Sequence, residues 1–325
     1  MLPPCTGGRV QCFGLALHAA CSTLRTLSVT DSTHPSNEAF WGIAFVCAAI
    51  GIMSGQDAIL KWLTGGYATV QILFLRGSVV TLIALMTAIR EAPAHVFTTA
   101  RPAAHLVRGA LNFAAIFLFV LAVAELPLAQ AMAIAMAAPL FTLAASAVLL
   151  REVVGWRRWA ACIVGFVGVL IMLRPTSDAF DVAGLYALGA ALAYALFIIQ
   201  TRQLTTTERT GTTLLYSSMF VFIASGAATP WVWQSVRLED LALMVAAGLL
   251  VAIGHFCFIQ AFRYASPATL APFEFTALVW GTLLGWLIWN ELPDTYTLAG
   301  ATLVVSAGLY VIYREATLAR RQQGA

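Results

Sequence analysis

The sequence predicts an all-α polytopic membrane protein, with ten transmembrane helices arranged as two inverted five-helix repeats. Three observations predict it. The composition is too apolar for water, the loop arginines sort to one side of ten helix-length segments, and one stretch of chain recurs about 140 residues later.

Of 325 residues, 60% are apolar and 10% charged, with a mean hydropathy of +0.85. A soluble domain carries about 25% charged residues, so a water-soluble globule is excluded. A spanning helix needs roughly 20 apolar residues to cross a hydrocarbon core about 30 Å thick. Ten segments qualify: 40–61, 67–89, 103–123, 127–150, 156–174, 182–201, 211–233, 240–261, 267–290 and 295–313. The six cysteines are scattered without C-x-x-C spacing, which indicates neither a metal site nor a disulfide framework.

Residues 1–37 read as a tail, either disordered or preceding the true translation start. A cleaved signal peptide is disfavoured because the apolar run Phe13–Cys21 is short. With the N-terminus inside, fourteen of the eighteen lysines and arginines fall on the cytoplasmic side. Only Lys61, Arg174 and Arg237 fall outside, and Arg76 lies within a segment. That bias places both termini in the cytoplasm.

The recurring stretch runs from Glu125 to Pro175 and again from Tyr264 to Glu315. Pro127, Glu152, Gly168 and Arg174 of the first copy answer to Pro267, Glu291, Gly308 and Arg314 of the second. Five segments per half is an odd number, so the second half enters from the opposite face. Inverted repeats of this kind hold a substrate site near the bilayer midplane. The halves are 38–175 and 182–315, with a cytoplasmic tail over 316–325.

On these motifs the chain resembles paired EamA domains of the drug/metabolite transporter superfamily. GIMSGQDAILKWL followed by QILFLRGS further resembles the branch holding S-adenosylmethionine and riboflavin uptake transporters, on Asp57, Lys61 and Arg76. The resemblance implies a multi-pass carrier of the bacterial inner membrane, moving a small organic metabolite by alternating access. Its alternatives are a lipid or conjugate flippase, or an intramembrane enzyme using Glu274 and His255. No Walker A loop, H-E-x-x-H or nucleophile elbow is present, so the expectation is a non-enzyme without cofactor or metal. Compatible partners are a small-molecule substrate, the lipid bilayer, a coupling proton and a second copy of the chain in a homodimer, and not nucleic acid.

Charges inside a bilayer cost at least about 2.5–3.5 kcal/mol each at a helix centre, so each calls for an explanation. Arg76 lies about 13 Å into the second segment, at 1.5 Å per residue, and Asp57 lies within reach on the antiparallel first segment. The pair either binds substrate or forms a structural ion pair. Lys61 reads as snorkelling to the outer interface. Near the inner boundary, His255 and Glu274 form a second candidate pair, binding a cationic group or taking up a coupling proton, or simply tying two helices together. Gln130, Tyr194, Tyr216 and Trp280 are lining candidates; Trp280 and Tyr216 suit a planar ring. Glu152 and Glu291 read as frame residues, and Pro139, Pro267 and Pro272 as bends exposing backbone to a cavity.

Overall fold

Alanine and leucine dominate the apolar segments, and both favour helix. The computed structural model describes residues 35–91, 93–150, 155–174, 182–204, 208–264 and 270–323, and every regular element among them is helical. Residues 1–34 of the N-terminal tail, Glu152 and Pro267 lie outside the described residues, and α1 takes in the tail's last three residues. The helices are α1 (Pro35–Thr64), α2 (Thr69–Glu91), α3 (Pro102–Glu125), α4 (Leu128–Ala135), α5 (Ala138–Leu149) and α6 (Trp156–Leu173). They continue as α7 (Val182–Leu204), α8 (Thr210–Ala228), α9 (Leu238–Tyr264), α10 (Thr276–Trp289) and α11 (Thr295–Gln323).

Among the described residues, seven stretches are long and apolar enough to cross a membrane, counting α4 and α5 together as Leu128–Leu149. Three shorter apolar helices are Trp159–Leu173, Phe273–Trp289 and Thr295–Val311. Helix α11 runs on to Gln323, into the stretch assigned to the C-terminal tail.

Lipid tails are as apolar as leucine, so close packing of small residues, rather than escape from water, must bring helices together. Helix α7 shows this directly. Ala183, Ala187, Ala191 and Ala195 recur every fourth residue and are no more than 2% exposed, giving α7 a flat, buried face. Where α6 meets α11, Gly168 and Gly300 face each other, and a Cβ built on Gly168 would lie 2.7 Å from the Gly300 carbonyl.

The main helix pairs are α1 with α9, α3 with α7, α2 with α8, and α6 with α11. Secondary contacts join α3 to α8, α2 to α9, α5 to α7, α10 to α1 and α4 to α10.

Two of the expected bends are present. Helix α4 stops at Ala135, Met136 and Ala137 turn, and α5 starts with Pro139 as its second residue. Pro139 has no N–H to continue the α4 ladder, so the break falls immediately before it. In the second half a 3-10 turn, Ala271–Phe275, contains Pro272 and leads into α10.

Candidate functional site

These two breaks come together at a cavity of 390 Å³. Ala135, Met136, Ala138 and Pro139 line it from the first break, and Glu274 and Phe275 from the second. Helix α1 contributes Met53, Gln56, Asp57 and Leu60, α2 contributes Arg76, and α3 contributes Ala115, Ile116 and Phe119. Helix α7 completes the wall with Ala190, Ala191 and Tyr194. The site therefore draws on both halves of the chain. Its volume suits a small organic molecule, since ligand pockets run to about 300–1,000 Å³.

Arg76 is buried, only 7% exposed. Its backbone is held by α9, because a Cβ on Gly248 would stand 3.0 Å from the Arg76 carbonyl. Arg76 and Asp57 are not joined directly. A guanidinium Nη donates to Gln56 Oε1 at 3.1 Å, and Gln56 Nε2 donates to Asp57 Oδ1 at 3.0 Å. The buried Arg76 Nε has no hydrogen-bond partner. Gln56, itself 5% exposed, was missed in the sequence. Its only signal there is its place beside Asp57.

Glu274 and Tyr194 are exposed side chains on the cavity wall. The cavity thus has a buried cation at Arg76, carboxylates at Asp57 and Glu274, and aromatic surface from Phe119, Tyr194 and Phe275. Such a wall can hold a molecule carrying both signs of charge on an apolar or planar body.

The remaining expected residues lie elsewhere. His255 is exposed, with Nδ1 against the Val251 carbonyl of its own helix at 2.7 Å, and it does not line the cavity. The expected His255–Glu274 pair is therefore not formed: His255 falls on the outward face of α9, a turn that depth along the helix does not reveal. Tyr216 stacks on His105, ring centroids 4.8 Å apart, and its hydroxyl donates to the Phe97 carbonyl. Trp280 packs with Val46 and Ile50, its ring directly over Gly51. Gln130 lines a separate cavity of 150 Å³ with Pro127, Gly184, Arg174 and Asp294.

Lys61 corrects the snorkelling expectation. It is 9% exposed and turns inward, donating to Glu291 Oε2 and to the Leu126 carbonyl, both at 2.7 Å, with the Trp289 ring beneath it. An inward carboxylate from the other half offers a better partner than the interface does. Beside it Arg174, in the left-handed region with φ 47°, pairs with Asp294.

A second set of polar links joins the halves at the opposite ends of α2 and α3. Arg108 is 3% exposed and donates to Thr201 Oγ1 and the Thr213 carbonyl, each at 2.8 Å, and to Ser217. Glu208 accepts from Thr99 Oγ1 at 2.9 Å and from the Ala100 amide at 3.0 Å, with His105 Nε2 at 3.8 Å. Desolvation raises the Glu208 pKa, but these donors outweigh it and hold the carboxyl below its ordinary value.

A family model, EamA-like transporter family, matches residues 40–174 and again residues 182–314. The chain belongs to the EamA-like transporter family. It is a transporter of small organic molecules, built from two EamA units. It is 29% identical to an S-adenosylmethionine uptake transporter of Rickettsia bellii over 274 residues, covering 84% of this chain and 94% of that protein. It is 32% identical to a riboflavin transporter of Rhizobium johnstonii over 221 residues, or 66% of this chain and 71% of that one. A pseudopaline exporter of Pseudomonas aeruginosa is 27% identical over 271 residues, covering 82% of this chain and 94% of that protein. Among solved structures, a crystal structure matches with a TM-score of 0.58 at 19% identity, covering 87% of this chain and 99% of that one, and it shows a likeness of fold alone.

Proposed function

We propose that this EamA-like protein moves a small zwitterionic metabolite with a planar or apolar body across the bacterial inner membrane, by alternating access of two inverted halves. The observation that carries the reading is the buried Arg76 guanidinium, facing the same cavity as Asp57 and Glu274. In this reading Arg76 receives an anionic group, Asp57 or Glu274 a cationic one, and Tyr194, Phe119 and Phe275 flank the body. Asp57 and Glu274 are also the carboxylates that would carry a coupling proton.

Support for inversion comes from the helix pairing. Exchanging each span for its counterpart five places on turns the α1–α9 pair into the α7–α3 pair, and the α3–α8 contact into the α9–α2 contact. The α2–α8, α6–α11 and α4–α10 pairs return to themselves. With five spans in each half, this two-fold pattern is the one an axis in the membrane plane would give. Cytoplasmic termini follow from the arginine bias of the loops.

S-adenosylmethionine, named for the Rickettsia relative, fits this wall: it has a carboxylate, an ammonium, a sulfonium and a planar adenine. Riboflavin, named for another relative, offers the planar ring without the cationic group. The test is uptake of each labelled compound into proteoliposomes. Saturable uptake of S-adenosylmethionine, lost in Arg76→Ala and kept in His255→Ala, is expected. Undiminished transport with Asp57, Arg76 and Glu274 all neutralised sinks the proposal. The enzyme alternative loses the His255–Glu274 pairing on which it rested.

A further inference from the structure

Opposite charges that share one apolar cavity tend to collapse into an ion pair, because each is otherwise poorly solvated. Asp57 and Arg76 share such a cavity and do not pair; one amide stands between them. A guanidinium only donates and a carboxylate only accepts, so Gln56 satisfies both in a single orientation, oxygen toward Arg76 and nitrogen toward Asp57. The 5% exposure of Gln56 holds that amide in place. The arrangement leaves Arg76 Nε, buried and without a partner, beside a cavity that could contain one.

We infer that Gln56 is a positioning residue, a neutral spacer that keeps Asp57 and Arg76 from neutralising each other and so leaves both for the transported molecule. This rests on the proposed substrate site. Its chemistry is specific to an amide. A shorter apolar residue lets carboxylate and guanidinium close on each other, and a carboxylate at position 56 captures the guanidinium itself. Either change ties up the group meant for an anionic moiety. The spacer therefore acts on substrate affinity through Arg76.

The test reads the state of Arg76 without needing a substrate. Full-length protein in detergent is treated with phenylglyoxal, which labels accessible, uncaptured guanidinium groups, and the Arg76 peptide is quantified by mass spectrometry. The peptide of Arg237, with a side chain 74% exposed and only a solvent-exposed pairing to Glu239 at 3.1 Å, serves as the internal reference. Arg76, 7% exposed, should label in the wild type through the cavity it lines, more slowly than Arg237. Labelling should fall about tenfold in Gln56→Ala and in Gln56→Glu, as one charge-assisted contact implies, with Arg237 unchanged. Arg76 labelling in Gln56→Ala at or above the wild-type level overturns the proposal. So does an Arg76 that fails to label in the wild type. Should Gln56→Ala not fold, Gln56→Glu alone decides by the same criterion. Transport by Arg76→Ala tests the substrate site separately, so failure of that reading is distinguishable from failure of the spacer.

Discussion

Lys61 and Glu291, 230 residues apart in sequence, meet at 2.7 Å and join the first half of the protein to the second. The same ammonium donates to the Leu126 carbonyl, so α1, the α3–α4 turn and the end of α10 converge on one nitrogen. Fully buried pairs cost about 3–5 kcal/mol to break by removing one partner. Here the Glu291 side chain is 30% exposed, so Lys61→Met should cost less, about 2 kcal/mol. The midpoint of thermal unfolding in detergent should fall for Lys61→Met, and adding Glu291→Gln should recover part of the loss. An additive double mutant would show that the pair is not coupled.

For transport, Arg76→Ala should abolish substrate-dependent uptake while leaving the unfolding midpoint of the apo protein close to wild type. Asp57→Asn and Glu274→Gln should raise KM more than they lower the maximal rate, because binding lost equally in ground and transition states appears in KM. His255→Ala should change neither. The check is a KM and rate comparison across the four variants in proteoliposomes.

Helix contact makes a separate prediction. A Cβ at Gly168 would meet the Gly300 carbonyl at 2.7 Å and Leu303 Cβ at 2.9 Å. Overpacking of this kind costs about 1–3 kcal/mol, so Gly168→Leu should lower the unfolding midpoint. Gly55, with nothing within 4 Å of its built Cβ, is the control: Gly55→Ala should be neutral or stabilising by up to about 1 kcal/mol.

Glu208 gives a pH signature. Its folded-state pKa lies below the ordinary value of 4.5, so the unfolded chain binds the proton more readily. The stabilisation is present in full above pH 4.5 and fades as the pH falls through the depressed folded value. Melting curves against pH should therefore show an acid loss that Glu208→Gln flattens. Equal acid loss in wild type and variant would remove the role of this carboxyl.

Much of the scaffold was readable because hydropathy reports segment length and composition directly. Asp57 and Arg76 were readable for the same reason, as charges in apolar surroundings. Rotation about a helix axis was not: it puts His255 outside and Glu274 on the cavity, although both were placed by depth. Gln56 carries no charge and so gave no alarm, yet the two charges are connected through it. Lys61 sat near a predicted helix end, where snorkelling is the ordinary outcome. Its partner Glu291 lies beyond any local window.

The break before Pro139 has a consequence for how cargo can change. Proline has no N–H to give the carbonyl four residues earlier, that of Ala135, and Ala135 lines the cavity. That acceptor belongs to the main chain, so no side-chain replacement at Ala135 removes it. Variants that exchange Tyr194, Phe119 or Glu274 for other side chains would inherit it unaltered. The wall therefore keeps this main-chain break in every such version, while its preference drifts with the side chains around it.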